Sequence, residues 1–237
     1  MAFSQINSFS SFLQKKPNTT PDISSTSLDY WFKFNSGDIN SSNRVYNYAT
    51  SSYSATVYNS ASIDTTTYKT GSGSLYLNGS SQYVDIDDFA TSTGGITIAC
   101  WFKTSSGGWK RIFDFGNGQF SNNILFSPNN GPSVYRGSTA NQPGSIGSYA
   151  DGNWNHLVWT LSASSGSTCT WNIYINGINE YTNSSAGYPS AVTRTNNYIG
   201  YSNWSADGYT TGYFDDFRIY SREISSSEAL QLYNHTK

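Results

Sequence analysis

Few residues of this chain have the types and spacing that enzymes use for catalysis. The two histidines, His156 and His235, form no H-x-x-x-H pattern, and no C-x-x-C or G-x-S-x-G pattern accompanies them. The members of a Ser-His-Asp triad need only meet in space, so that arrangement stays open, and we interpret His156 as a structural residue. Glycine-rich stretches such as GSGS and GNGQ lack the spacing of a phosphate-binding loop and are typical of turns. The sequence therefore predicts no catalytic site.

Two tryptophan-containing loops have the residue types that bind sugars. Trp204 lies in YSNWSADGY between two strand-like runs, after Asn203 and shortly before Asp207 and Tyr209, and Trp109 lies similarly in SSGGWKR. Binding residues concentrate in loops. An indole can cover the apolar face of a sugar ring while Asn203 and Asp207 hydrogen-bond its hydroxyl groups. These five residues are the predicted ligand-binding site. The alternative is that Trp204 folds back as a lid over one end of the domain, because tryptophan is highly buried on average.

Two adjacent acids near the end of the chain, Asp215 and Asp216, are the candidate metal ligands. Alternation along YFDDFRIY predicts that Asp215 shares a face with Phe217 and Ile219. A carboxylate on an apolar face is costly unless it is paired or bound to a metal. The alternative to a metal is a pairing with a nearby arginine or a hydrogen bond at the strand end.

The elements that must position these residues are predicted to be β-strands. In 237 residues the aromatic fraction is 16% and the charged fraction 12%, which suits one large β-sandwich. From Leu28 onward, strand-like runs alternate with clusters of turn residues. Several runs alternate with period two. In one of them Trp171, Ile173 and Ile175 lie on one face of the predicted strand and Asn172 lies on the other. The pattern predicts a single all-β domain of two stacked antiparallel sheets.

The two ends of the chain differ from this pattern. Residues 1–27 are polar, contain two prolines and show no period, so we predict an extended N-terminal tail before a domain over residues 28–237. Near the other end, Ser225 and Glu228 form the S-x-x-E pattern of a capping box ahead of an apolar run. One short C-terminal helix is therefore predicted.

Charge and hydropathy exclude some partners. The formal net charge is -2 and the basic residues are scattered, so we expect no nucleic acid partner. No run approaches the roughly 18 apolar residues of a membrane span, and the N-terminus shows no convincing signal peptide. We expect an extracellular or virion-surface location. Cys100 and Cys169 are interpreted as small buried residues, and a disulfide between them stays open.

Four segments carry a family resemblance. They are GSGSLYLNGSSQYVDI (71–86), ITIACWFKT (96–104), NWNHLVWTLSASSGSTCTWNIYINGI (153–178) and YFDDFRIYSREISSSEALQLY (213–233). In this order and spacing the chain resembles the laminin-G-like jelly roll of the concanavalin A-like lectin and glucanase superfamily, which also includes pentraxins. The resemblance implies an antiparallel jelly-roll sandwich.

The resemblance also bears on catalysis and on metal binding. Glucanases of this architecture place E-x-D-x-E or E-x-D-x-x-E on one strand, and this chain has no such run, which favours a domain without enzyme activity. In relatives an aspartate near the end of the domain holds a structural Ca²⁺ together with backbone carbonyl groups. The resemblance assigns that role to Asp215, with Asp216 as the alternative, and Asp207 is a further candidate calcium ligand.

Three classes of function follow from these observations. The first is a non-catalytic binding domain for glycan recognition or adhesion at a surface. The second is a structural protein of a virus particle, in which the N-terminal tail docks on a partner protein. The third is a hydrolase with an unrecognised site. The expected partner is a carbohydrate or a protein surface, and the first class is the prediction.

Overall fold

The computed structural model describes residues 23–144 and 146–237, which contain eighteen β-strands and one α-helix. In chain order the strands are β1 (Leu28–Phe32), β2 (Arg44–Asn47), β3 (Ser52–Tyr58), β4 (Ser62–Asp64), β5 (Ser74–Asn78), β6 (Tyr83–Ile86), β7 (Phe89–Ala90), β8 (Ile96–Lys103), β9 (Phe113–Gly116), β10 (Ile124–Ser127), β11 (Gly131–Arg136), β12 (Thr139–Asn141), β13 (Trp154–Leu161), β14 (Thr168–Ile175), β15 (Ile178–Gly187), β16 (Thr193–Arg194), β17 (Asn196–Ile199) and β18 (Thr211–Tyr220). The helix α1 spans Ser226–Thr236. Most of the predicted tail, residues 1–22, lies outside the described residues.

Two large antiparallel sheets form the body of the described domain. The first sheet has the order β15-β14-β13-β8-β18-β5-β4, and β1 also pairs with β18. The second sheet has the order β12-β11-β10-β9-β17-β6-β3-β2, and a small sheet pairs β7 with β16. The predicted fold class is confirmed: an all-β, two-sheet antiparallel sandwich of the concanavalin A-like kind with one short C-terminal helix.

The main core lies between the two sheets, where alternate strand residues meet. Phe113 of the second sheet contacts two rings of the first, with centroid distances of 5.9 Å to Phe217 and 6.4 Å to Trp159. Trp159 in turn packs edge-on against Trp171 at 5.0 Å. Burying each such side chain stabilises the fold by about 1.5–3 kcal/mol. This core fixes which residues of the second sheet face outward.

A second, smaller core lies between the first sheet and the C-terminal helix. Leu232 of α1 is buried in one cluster with Val158 of β13, and Ile23 at the start of the described chain joins the same cluster. The Trp101 indole N–H donates a 2.7 Å hydrogen bond to Thr236 Oγ1 of the helix. Both faces of the first sheet are thus covered over part of its area.

The start of α1 has the capping box that the sequence predicts. Ser225 Oγ accepts from the Glu228 backbone N–H, and the Glu228 side chain accepts from the Ser225 backbone N–H. Glu228 also accepts a 2.6 Å hydrogen bond from Arg222. This arginine lowers the pKa of Glu228 to about 2, with the Ser225 donors acting in the same direction. The helix is therefore anchored to the end of β18.

The two cysteines are free and buried in separate strands. Cys100 lies in β8 and Cys169 in β14. Burial raises the pKa of both thiols, and that of Cys169 rises to about 12. They therefore act as small buried side chains, as expected from the sequence.

Candidate functional site

A cavity of about 290 Å³ opens on the face of the second sheet that is turned away from the main core. Leu125 of β10 and Tyr135 of β11 point to this face, since their neighbours Ile124 and Val134 belong to the core. We call the cavity the aromatic pocket. It is lined by Trp109, Arg111, Leu125, Tyr135, Gln142, Trp204 and Asp207. Three of the five predicted ligand-binding residues, Trp109, Trp204 and Asp207, are thus brought together.

The loop between β17 and β18 carries Trp204 and Asp207 into the pocket. An isolated antiparallel bridge between Tyr201 and Tyr209 closes its base. Within the loop, the Asp207 N–H donates to the Trp204 carbonyl at 3.0 Å, and the Trp204 N–H donates to Ser202 Oγ at 3.0 Å. These local bonds replace a strand ladder and hold the indole at the edge of the cavity.

Arg111 lies against both tryptophans and is only 3% exposed. Its Nη2 donates to Asp207 Oδ2 at 2.7 Å, its Nη1 donates to the Trp109 carbonyl oxygen, and its Nε lies 3.6 Å from Asp114 Oδ2. The guanidinium carbon is 5.4 Å from the Trp109 ring centroid and 5.5 Å from that of Trp204, within cation–π range. The pocket therefore has a buried cation that the carboxylates of Asp114 and Asp207 neutralise.

Trp204 is partly buried by aromatic neighbours and partly open to solvent. Its ring centroid lies 5.2 Å from Tyr135 and 5.2 Å from Phe120, the latter pair being edge-on at 84°. Trp109 and Phe120 are 45% and 47% exposed. Trp204 thus packs on the outward face of the second sheet and contributes to the wall of a cavity.

Some polar groups of the pocket have no partner within the described part of the chain. Both hydrogen bonds to Asp207 reach Oδ2, from Arg111 and from Ser202 Oγ at 3.4 Å, so Oδ1 is left for another donor. The indole N–H groups of Trp109 and Trp204 donate to none of the described protein groups. These donors and acceptors are available to a ligand that brings hydroxyl groups.

Asn203 lies behind the pocket rather than in its wall. Its Nδ2 donates to Asp114 at 3.0 Å (Oδ1) and 3.2 Å (backbone O) and to the Asn196 carbonyl at 3.2 Å, while its Oδ1 accepts from the Gly118 N–H at 3.1 Å. Asp114 is fully buried, and burial raises its pKa while Arg111 and its amide partners oppose the rise. Asn203 therefore attaches the loop between β17 and β18 to β9.

Tyr209 lies on the other side of the loop from Trp204. It stacks on Tyr201 with a centroid distance of 4.3 Å and an interplanar angle of 14°, and it lies 6.2 Å from Tyr83 of β6. It is not among the residues that line the pocket. The structure thus separates Tyr209 from the three predicted residues that meet there.

Four pocket residues were not predicted from the sequence: Arg111, Leu125, Tyr135 and Gln142. Arg111 follows Trp109 by two residues, and that proximity was the signal that could have found it. The outward position of Tyr135 depends on the register of β11, which pairs Val134 with Ile124 in the core. The sequence alone does not give that register.

The predicted face of Asp215 is wrong, because a β-bulge interrupts β18. Asp215 pairs with Trp101 on β8, and the following pair is Arg218 with Ala99, with a register shift between them. Asp216 has a φ of 47° at this bulge. The extra residue turns Asp215 to the outward face of the first sheet, together with Trp101, while Phe217 points into the main core.

Backbone amides already surround the Asp215 carboxylate. Oδ2 accepts from the N–H groups of Lys69 and Thr70, both at 2.8 Å, and Oδ1 accepts from the Asp216 N–H at 2.7 Å. Burial raises the pKa of Asp215 to about 7, although these amide donors act in the opposite direction. Asp216 instead accepts from Arg218 Nε at 3.0 Å, which is the arginine pairing that the sequence left open.

This arrangement does not fit a calcium ion on Asp215. Calcium requires oxygen ligands, and the groups that face this carboxylate are N–H donors. Over residues 23–144 and 146–237, no three His, Cys, Asp or Glu side chains are grouped so that they could hold a metal. The calcium assignment to Asp215 or Asp216 stays a prediction from the family resemblance.

The remaining candidate for chemistry, His156, is enclosed in the second core. Its ring lies 4.9 Å from Trp101 and 5.9 Å from Tyr233. Burial lowers the pKa of His156 to about 3, so the imidazole is neutral at ordinary pH. It is remote in the fold from the aromatic pocket, on the outward face of the first sheet.

None of the helices in the described ranges is long and apolar enough to cross a membrane.

These features define an antiparallel β-sandwich with an aromatic pocket on one outward sheet face. The family described as the Concanavalin A-like lectin/glucanases superfamily matches residues 78–229, more than half of the chain, and the chain belongs to this family. The resemblance recognised from the sequence is confirmed. A search among curated protein sequences finds no match.

Solved structures share the fold at low sequence identity. Domain 4 of AbnA, a GH43 extracellular arabinanase from Geobacillus stearothermophilus in complex with arabinotriose, has a TM-score of 0.68 at 16% identity, covering 86% of this chain and 97% of that one. The binding domain of Paraclostridial Mosquitocidal Protein 1 has a TM-score of 0.61 at 16% identity, covering 88% and 52%. The botulinum neurotoxin serotype D ligand-binding domain in complex with N-acetylneuraminic acid has a TM-score of 0.52 at 13% identity, covering 89% and 51%.

These likenesses show the fold alone. The chain spans nearly all of the arabinanase domain but only about half the length of the two toxin domains. The ligands named with those proteins belong to those proteins.

Proposed function

We propose that this chain is a non-catalytic glycan-binding domain that holds a neutral saccharide in the aromatic pocket. One observation carries the proposal: Trp109 and Trp204 both lie against the buried Arg111, which is hydrogen-bonded to Asp207. Apolar ring faces and fixed polar groups therefore stand side by side in one open cavity. This combination suits a ligand with both C–H faces and hydroxyl groups.

The charges of the pocket favour a neutral ligand. Arg111 is neutralised by Asp207 at 2.7 Å and faces Asp114 at 3.6 Å, so no unpaired charge lines the cavity. An anionic ligand group placed here would compete with Asp207 and Asp114 for Arg111, and a carboxylate that lost this partner would be left buried without a cation. A sugar ring instead stacks on an indole, while Asp207 Oδ1 accepts a hydrogen bond from a hydroxyl.

The fold relatives support a glycan ligand without fixing which one. Two of the three structures described above were solved with saccharides, arabinotriose in one and N-acetylneuraminic acid in the other. The family name includes both lectins and glucanases, so the fold by itself leaves binding and hydrolysis open. The number and position of the carboxylates in the pocket decide between binding and hydrolysis.

Those carboxylates favour binding over hydrolysis. A glycosidase of the usual kind needs two carboxyl groups that flank the scissile bond. Here Asp114 is fully buried behind Arg111 and holds Asn203, and only Asp207 lines the cavity. We expect no release of reducing ends when the protein is incubated with arabino-oligosaccharides or β-glucans. Release that stops in Asp207→Asn would contradict the non-catalytic part of the proposal.

The alternative function, a structural protein of a virus particle, draws no specific support from the pocket or from the relatives reported above. It rests on the predicted tail, most of which lies outside the described residues. Limited proteolysis separates the two ideas, because a tail that docks on a partner should be cut in the isolated protein and protected in the assembly.

Screening on a glycan array, followed by titration calorimetry with each positive sugar, tests the proposal directly. We expect at least one neutral oligosaccharide to bind, with arabinotriose as the first probe. Binding that disappears in Trp204→Ala and persists in Trp154→Ala, where the exchanged ring lies outside the pocket, supports the aromatic pocket. No binding of any neutral sugar by the folded protein would overturn the proposal.

A further inference from the structure

A second cavity of about 530 Å³ opens on the outward face of the first sheet, away from the aromatic pocket. Trp31 of β1 and Arg218 of β18 form part of its wall, paired across the strands. The loop before β5 contributes Tyr68 and Lys69, and the end of α1 contributes His235. We call this cavity the lysine pocket, because Lys33, Lys69 and Lys237 all line it.

The two lysines from within the domain are held in place by aromatic rings. Lys33 Nζ lies 4.0 Å from the Trp31 ring centroid and 4.3 Å from that of Tyr48. Lys69 Nζ lies 4.3 Å from the Trp101 ring centroid. Such contacts fix the direction of a flexible side chain without neutralising its ammonium charge.

No carboxylate of the described chain forms an ion pair with Lys33 or Lys69. The one acid that lines the cavity, Asp216, accepts from Arg218 at 3.0 Å and from the Trp31 indole N–H at 2.6 Å. Burial lowers the pKa of Lys69, while the charge of Asp215 acts in the opposite direction. Asp215 and Asp38 act on Lys69 and Lys33 only through space, without a salt bridge. Basic side chains therefore outnumber the single carboxylate among the residues that line the cavity.

A concave site lined by several cations complements an anion. Its volume also exceeds that of a single small ion and lies in the range of pockets that hold small organic ligands. The exposed Tyr68 ring adds an apolar surface with a hydroxyl group. These properties together describe a ligand that has an oxyanion on a polar ring.

We propose that the lysine pocket binds the carboxylate or sulfate group of an acidic saccharide through Lys33 and Lys69. This site has a different ligand chemistry from the aromatic pocket and does not depend on it. A free inorganic anion and an acidic sugar would both present an oxyanion to these lysines. The experiment below therefore compares inorganic sulfate with acidic disaccharides.

The test is titration calorimetry of the full chain with a sulfated disaccharide, a glucuronate-containing disaccharide and inorganic sulfate. We expect the wild-type protein to bind one of the two disaccharides more tightly than inorganic sulfate, and to bind it less tightly as NaCl is raised. Equal affinities would identify a free-anion site that uses the same lysines. Wild-type protein that binds none of the three probes overturns the proposal.

Variants assign the binding to the two lysines. We expect Lys33→Gln with Lys69→Gln to weaken binding at least tenfold, and Lys33→Arg with Lys69→Arg to retain most of it. The matched control Lys103→Gln, outside this cavity, should bind as the wild type does. Circular dichroism confirms that each variant is folded. Unchanged affinity in the folded double glutamine variant, or equal loss in Lys103→Gln, contradicts the assignment.

The result is independent of the proposed glycan site. Trp204→Ala should leave binding of the acidic probe unchanged, and the double glutamine variant should leave binding of a neutral sugar unchanged. Loss of both ligands in either variant would contradict the separation of the two sites.

Discussion

The Arg111 guanidinium donates a 2.7 Å hydrogen bond to the Asp207 carboxylate, although the two residues are 96 positions apart in the chain. Arg111 comes from the segment before β9 and Asp207 from the loop between β17 and β18. Their contact joins that loop to the outward face of the second sheet. The wall of the aromatic pocket, including Trp204, depends on this link.

Loss of the arginine should therefore destabilise the whole domain. In Arg111→Met the fully buried Asp114 loses its nearest cation, and we expect the free energy of unfolding to fall by about 3–5 kcal/mol. The control is Arg44→Met, which removes a partly exposed ion pair with Asp87 and should cost less than about 1 kcal/mol. Urea denaturation measures both. Equal losses in the two variants would show that Asp114 is not stabilised by Arg111.

Asn203 should act on stability rather than on ligand contact. Truncation in Asn203→Ala leaves Asp114 and the Asn196 carbonyl without their amide donor, and unsatisfied buried groups cost about 1–3 kcal/mol each. We expect a lower urea midpoint, and a normal affinity for a neutral sugar in the protein that remains folded. An unchanged urea midpoint together with weakened sugar binding would contradict this assignment and indicate that Asn203 contacts the ligand.

Stability should depend on pH through Asp85. Burial raises the pKa of Asp85 to about 6, and the nearby Asp88 and Asp87 act in the same direction, against a hydrogen bond from the Asn197 backbone. Between its ordinary pKa of 3.8 and about 6, the folded state holds a proton that the unfolded state has released. Stability is therefore lost as the pH rises through this window.

The variant Asp85→Asn removes this dependence. We expect the free energy of unfolding of the variant, minus that of the wild type, to be more positive at about pH 7 than at about pH 4. Urea denaturation at both pH values measures this difference. Asp64→Asn is the control of opposite sign, measured below the ordinary pKa of 3.8: donors of the turn lower the pKa of Asp64, so its stabilisation is lost as the pH falls below that value. A difference between Asp85→Asn and wild type that stays constant with pH would contradict the raised pKa.

Much of the fold could be predicted from the sequence because it depends on local patterns. Period-two alternation in β14 buries Trp171, Ile173 and Ile175 on one face, as predicted. The capping box at Ser225 also forms as expected, since it needs only residues three positions apart. Such patterns are complete within one element, so no knowledge of the partner strands is required.

The site could be predicted only in part, because it depends on pairing between distant segments. The loop tryptophans were recognisable from their polar and glycine-rich flanks. Arg111 was not, since its burial follows from two carboxylates that converge from β9 and from the loop before β18. The bulge at Asp216 was also hidden, because alternation assumes a regular strand, and one extra residue reverses the face of Asp215.

Calcium binding, which the family resemblance assigns to Asp215, is tested by melting temperature. Because three amide groups already donate to that carboxylate, we expect the same melting temperature in Ca²⁺ and in chelator. An ion that binds only the folded state adds about 2.7 kcal/mol at 100-fold excess over its dissociation constant, so a site would be detected. A rise that is lost in Asp215→Asn would contradict this expectation, and one lost in Asp207→Asn would place the ion at the aromatic pocket.

The central claim, that the aromatic pocket binds a neutral saccharide, is tested most directly by calorimetric titration of Trp204→Ala. The probe is the tightest neutral oligosaccharide found for the wild type, starting with arabinotriose. We expect the affinity to fall at least tenfold. Truncating a fully buried tryptophan costs about 3–5 kcal/mol of unfolding free energy, and we expect a smaller loss here because Trp204 is partly open to solvent. A variant that loses about 3–5 kcal/mol, while its folded fraction binds the sugar as the wild type does, would contradict the account.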